Sequence, residues 1–154
     1  MNMPALDIRE IPVRLHLAGS PALEARLFLH RHGPRGEESV LERLNGHETF
    51  LPMRLPDGFR LVARSSIVWL EAERGPSQFE EDPDATASPQ RMRLALRSSE
   101  AIEGEIRALL PDNRNRLMDF LNQKERFFVL STENDTAFVN KDWVAMVEPL
   151  GESV

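Results

Sequence analysis

The sequence predicts a mainly β (α+β) protein, built as two tandem small half-open barrels that each run β-β-α-β-β-β and are related by internal duplication. Three observations carry this. Apolar and polar residues alternate with the period of a strand along most of the chain. The same succession of elements returns after 77–79 residues. A proline-bearing acidic stretch separates the two occurrences.

Leu44-Asn45-Gly46-His47-Glu48-Thr49-Phe50-Leu51 lies over Leu121-Asn122-Gln123-Lys124-Glu125-Arg126-Phe127-Phe128 at an offset of 77, with Leu, Asn, Glu and Phe in place. The same offset brings Val62 onto Val139, Arg64 onto Lys141 and Glu71 onto Glu148. Upstream the offset is 79 and carries Arg14, Leu15, Leu17, Ser20, Ala22 and Glu24 onto Arg93, Leu94, Leu96, Ser99, Ala101 and Glu103. A two-residue gap near Arg31–Arg35 reconciles them. The first repeat occupies residues 1–72, an acidic flexible linker 73–90 and the second repeat 91–154.

In order, Val13, Leu15 and Leu17 alternate with polar neighbours, as do Met92, Leu94 and Leu96, and predict a first strand. Turns at Ala18–Pro21 and Arg97–Glu100 lead to second strands marked by Leu23, Ala25, Leu27 and Leu29, and by Ile102, Gly104 and Ile106. Val40, Leu41 and Leu44, and later Leu117, Phe120 and Leu121, have the spacing of one helix face. Asp57-Gly58 and Asn134-Asp135 have turn chemistry between alternating segments and predict hairpins. Last strands follow at Ile67–Leu70 and Val144–Val147. Five short strands in so few residues bury a core by curling into a small barrel, with the helix at one end.

Composition narrows the functional classes. The chain of 154 residues is 41% hydrophobic and 29% charged, the balance of a globular protein. With 0 cysteines, disulfides, thiolate metal sites and cysteine nucleophiles are excluded. No run approaches the ~20 apolar residues of a membrane helix, and residues 1–10 lack a signal-peptide core, so a cytoplasmic protein is expected. Residues 72–90 hold 5 acids and 1 base and supply most of the net charge of −6, which leaves both repeats near neutral. Such repeats lack the basic excess of a non-specific nucleic-acid binder.

With these elements in place, the pattern resembles the small-barrel superfold of SH3-like and Sm-like domains. It also resembles short uncharacterised bacterial domains of unknown function, through Arg116-Leu117-Met118-Asp119-Phe120-Leu121-Asn122, Phe127 and Val139-Asn140-Lys141. Sm-like domains place their helix before the first strand, whereas here it follows the second. RNA binding is not carried over from the resemblance, since the fold by itself says little about function.

Candidate chemistry is sparse. His16, His30, His32 and His47 all lie in the first repeat, and His30-x-His32 has one-face spacing on a strand. His16 falls roughly 20 Å from His30 at ~3.3 Å per residue, so no metal site is expected. Arg14 with Glu24 and Arg93 with Glu103 recur at matching places and predict cross-strand ion pairs rather than catalysis. The 8 glycines form no phosphate-cradling loop, and Ser65-Ser66 and Ser98-Ser99 lack the strand-turn-helix setting of a nucleophile elbow. No catalytic residue and no cofactor are expected.

Alternation fails informatively at Thr49–Met53, Ile67–Leu70, Phe127–Leu130 and Trp143–Val147, which are apolar on both faces. Such strands call for cover on both sides, from the other repeat, a second chain or a partner. The expected function is a non-catalytic binding or scaffolding module acting through protein–protein contacts, with Ile67, Trp69, Phe128, Trp143 and Met146 as interface candidates. The alternative is nucleic-acid binding through Arg91, Arg93, Arg97, Arg107, Arg114 and Arg116.

Overall fold

A computed structural model describes residues 8–31, 36–73, 90–106 and 114–150, the side chains of 114–116 excepted. Most of the 73–90 linker, His32 and Arg107 lie outside these residues. The chain order is β1 (Ile8–Leu17), β2 (Leu23–His30), α1 (Val40–Leu44), β3 (Phe50–Leu55), β4 (Gly58–Ala63), β5 (Ile67–Glu73), β6 (Gln90–Leu96), β7 (Ala101–Ile106), α2 (Arg114–Leu121), β8 (Phe127–Ser131), β9 (Asp135–Asn140) and β10 (Val144–Leu150). Single 3-10 turns at Arg64–Ser66 and Lys141–Trp143 lead into β5 and β10. No helix among the described residues is long and apolar enough to cross a membrane.

Local chemistry accounts for the element boundaries. Ser39 caps α1, its side chain accepting from the Glu42 N–H while the Glu42 carboxylate accepts from the Ser39 N–H. This capping box satisfies two otherwise orphan donors. Gly58 has φ +132, a backbone region that L side chains rarely adopt, and it turns β3 into β4. The first strand starts at Ile8, five residues before the alternation at Val13 begins, because it continues along β2 as far as Ile8↔His30.

All ten strands pair antiparallel in one sheet of order β10-β6-β7-β8-β9-β5-β1-β2-β3-β4. The halves are therefore not separate sheets: β5, which ends the first half, gives its second edge to β9. The sheet is open, with β10 and β4 at its margins. Inside each half the strand order and ladder register coincide under the sequence offsets. Val13↔Ala25 and Val13↔Ala72 correspond to Met92↔Gly104 and Met92↔Pro149. Phe50↔Ala63 corresponds to Phe127↔Asn140, and Arg26↔Arg54 to Glu105↔Ser131. A register shift between His16 and Leu17 opposite β5 recurs between Val144 and Met146 opposite β6.

Two apolar cores result, and each borrows from the other half. Leu15, Leu27, Leu44, Leu51, Met53 and Leu70 centre the first, which also takes Phe127 and Phe138. Met92, Leu94, Ile106, Phe128 and Leu130 centre the second, which takes Val68 and Trp69.

Candidate interaction surface

The junction between halves is where the two-sided apolar strands go. In β5, Ile67, Leu70 and Ala72 enter the first core while Val68 and Trp69 enter the second. In β8, Phe127 and Val129 face the first core, Phe128 and Leu130 the second. Alternation sends Phe127–Leu130 to opposite faces in turn, and a register shift that skips Val68 sets it with Trp69 on one side of β5, so a central strand between two cores is apolar throughout.

Polar side chains fasten the same seam. Asn45, the C-cap of α1, holds the Phe127 backbone from the other half. The buried Asn140 amide donates to the Ile67 carbonyl at 3.0 Å. Trp143 Nε1 donates to the Ser65 carbonyl at 2.8 Å.

Beside it, His16 stacks on Trp69 with ring centroids 3.7 Å apart and planes 12° from parallel. His16 Nε2 stands 3.5 Å from Glu71 Oε1, and Trp69 Nε1 donates to Glu71 Oε2 at 3.2 Å. The His16 imidazole beside it is the main reason the Glu71 carboxyl lies below its ordinary range, against the opposing effect of burial. A hairpin turning near residues 19–20 would set His16 opposite Leu23 or Glu24, the register behind its expected distance of roughly 20 Å from His30. The ladder sets Leu15 and Arg14 there, and His16 pairs with Trp69 on the other edge of β1. Pairing across distant strands carries no local signal, so this trio was not legible.

The remaining histidines do not converge. His30 ends β2 exposed, His47 is exposed after α1, and His32 lies outside the described residues. Among the described residues no group of three or more His, Asp or Glu could hold a metal ion.

Of the arginines of the nucleic-acid alternative, Arg91, Arg93 and Arg97 face carboxylates and a carbonyl. Arg93 Nη2 donates to Glu103 at 2.7 Å and Nη1 lies 3.6 Å from Glu148, while Arg91 reaches the same Glu103 at 3.4 Å. Hydrogen bonding to Arg93 holds the Glu103 carboxyl below its usual range, and Glu103 raises Arg93 in turn. Arg97 Nε donates to the Asp142 carbonyl at 2.9 Å. Arg114 and Arg116 open α2, but their side chains, like Arg107, lie outside the description. The expected Arg14–Glu24 pair is present at 3.6 Å.

Of the interface candidates, Ile67, Trp69 and Phe128 are buried at the junction, Trp143 is half-buried against the second core, and Met146 is exposed. The expectation that Trp143–Val147 is covered on both sides is not met within one chain: β10 is marginal, so Ala145 and Met146 face solvent. Thr49–Met53 departs in the same way, with Leu51 and Met53 buried and Phe50 exposed. Sequence reasoning missed Phe59 and Leu61, exposed on the other marginal strand, because alternation alone does not reveal which strand ends a sheet.

The two margins thus combine unpaired backbone with exposed Phe59 and Leu61 on β4 and Met146 on β10. An unpaired edge is a template for another strand, and apolar side chains flanking it add a driving force. No family model, curated protein or solved structure matches the chain.

Proposed function

We propose that the chain is a non-catalytic binding or scaffolding module that engages protein through the free edges of its sheet. The observation that carries this is the coincidence of Phe59, Leu61 and Met146, all exposed, with the two strands that lack a second neighbour among the described residues. The carboxylates that recur in the sequence support a structural role for themselves, since Glu24, Glu71 and Glu103 each face a cation or imidazole. The shared strand order and registers support the reading of the halves as duplicated small-barrel units.

The test immobilises the wild-type chain and a Leu61→Glu/Met146→Glu double variant in soluble extract of the source cells, and compares the protein each retains. Retention by wild type alone is the expected result. Equal retention would sink the reading. Salt-sensitive binding of a single-stranded oligonucleotide, lost on replacing Arg91 and Arg93, would favour the nucleic-acid alternative instead.

A further inference from the structure

The offset of 77 gives each strand of the junction a counterpart: β9 corresponds to β4 and β5 to β10, which are the two free edges. Four of the five exposed large hydrophobics among the described residues take the place of a junction residue. Leu61, 61% exposed, corresponds to Phe138 at 2%, and Phe59, 54%, to Thr136 at 0%. Phe50, 53%, corresponds to Phe127 at 1%, and Met146, 68%, to Trp69 at 5%. Met118 on α2 corresponds to Leu41 on α1, half-buried against the first core. Isolated surface apolar residues are ordinary. Chance does not readily place four of five at positions an existing interface buries.

The cores differ in a matching way. Phe127 and Phe138 cross from the second half into the first core, where Val40, Leu44, Ile67 and Leu70 are buried. The counterparts Leu117, Leu121, Val144 and Val147 are only half-buried in the second core. What the second core lacks is the contribution that Phe127 and Phe138 make to the first. Their own counterparts, Phe50 and Leu61, sit exposed at the opposite end of the sheet.

Resting on the binding-module reading above, we infer that the partner is a second copy of this chain, with β4 of one copy pairing antiparallel to β10 of the next. The ladder Trp69↔Val139, Leu70↔Phe138 and Glu71↔Ala137 transposes to Met146↔Val62, Val147↔Leu61 and Glu148↔Arg60. Glu148 and Arg60 then oppose one another with unlike charge, a favourable cross-strand pair. Pro149 stands opposite Phe59 as Ala72 does opposite Thr136, which removes at most one backbone donor from the ladder. The contact is heterologous, each copy offering a different edge, so association continues until a ring closes.

Sedimentation velocity on the full chain, from micromolar to sub-millimolar concentration, tests this. Wild type forms assemblies of two or more copies. Leu61→Glu and Met146→Glu are each monomeric by themselves and melt at the temperature of dilute wild type, because both side chains are exposed in the single chain. Their equimolar mixture forms a one-to-one dimer, since each retains the edge the other has lost. In the cysteine-free background, a Leu61→Cys/Val147→Cys chain cross-links between copies on oxidation. A wild type that stays monomeric overturns the inference, as does either single variant that still associates alone. If that monomer nonetheless retains another protein through these edges, the binding-module reading survives without self-assembly; if it retains none, both fall.

Discussion

The side-chain amide of Asn45 occupies the backbone of Phe127 in both directions, Oδ1 accepting from its N–H at 2.8 Å and Nδ2 donating to its carbonyl at 3.2 Å. An amide is the one side chain that presents an acceptor and a donor side by side, which is what a peptide group needs. The contact spans 82 residues of sequence and joins α1 of one half to β8 of the other. Asn45→Ala leaves two backbone groups without partners in a partly buried seam, and is expected to destabilise by ~1–3 kcal/mol. Urea melting measures this, and an unchanged midpoint would show that water takes over both bonds.

Trp69 is expected to be indispensable to both halves. From sequence, Trp69→Glu would either separate the repeats or dissociate an oligomer, without unfolding each barrel. The cores are interleaved, however, with Phe127 and Phe138 in the first and Trp69 and Val68 in the second. Trp69→Ala is therefore expected to cost ~3–5 kcal/mol and to leave a single unfolding transition. Trp143 fluorescence and far-ultraviolet circular dichroism should melt together; two resolved transitions would show that the halves are autonomous.

Glu71 predicts an acid-side sensitivity. Its folded-state carboxyl titrates below the ordinary value of 4.5, chiefly through the His16 imidazole beside it. A depressed carboxyl contributes stability above its unfolded pKa and loses it as pH falls through the folded pKa. Glu71→Gln should therefore be less stable than wild type near neutrality, with the difference shrinking below about pH 4.5. Thermal melts of both proteins from pH 7 downward check this; a gap that widens in acid would contradict it.

Gly104 marks a close approach of β7 to β8. A Cβ there would meet the Ser131 carbonyl oxygen at 2.6 Å and Leu130 Cγ at 2.7 Å. The corresponding residue of β2 is Ala25, so the two strand crossings differ in spacing. Gly104→Ala should force the strands apart and destabilise by ~1–3 kcal/mol, while Ala25→Gly should cost only the small loss of a buried methyl. Thermal melting of the pair decides it, and a neutral Gly104→Ala would mean that β8 yields freely.

Much of the fold was legible because it is written in short-range periodicity. Val13, Leu15 and Leu17 announce a strand through neighbours two residues away, Val40, Leu41 and Leu44 share one helix face, and Asp57-Gly58 specifies its own turn. The mixed apolar runs at Ile67–Leu70 and Phe127–Leu130 likewise foretold strands with two covered faces.

What the sequence determined by itself was the elements, their order and the recurrence of that order, since each depends on residues close together in the chain. The tertiary structure decided which edges met. The β5–β9 ladder is made by backbone groups common to all residues, so Ile67–Glu73 and Val144–Leu150 read alike although one is central and the other marginal. Burial of Trp69 and exposure of Met146 follow from that choice alone, as does the meeting of His16 with Glu71. These outcomes depend on pairing between distant segments, where the free energy comes from three-dimensional neighbours that no local pattern names.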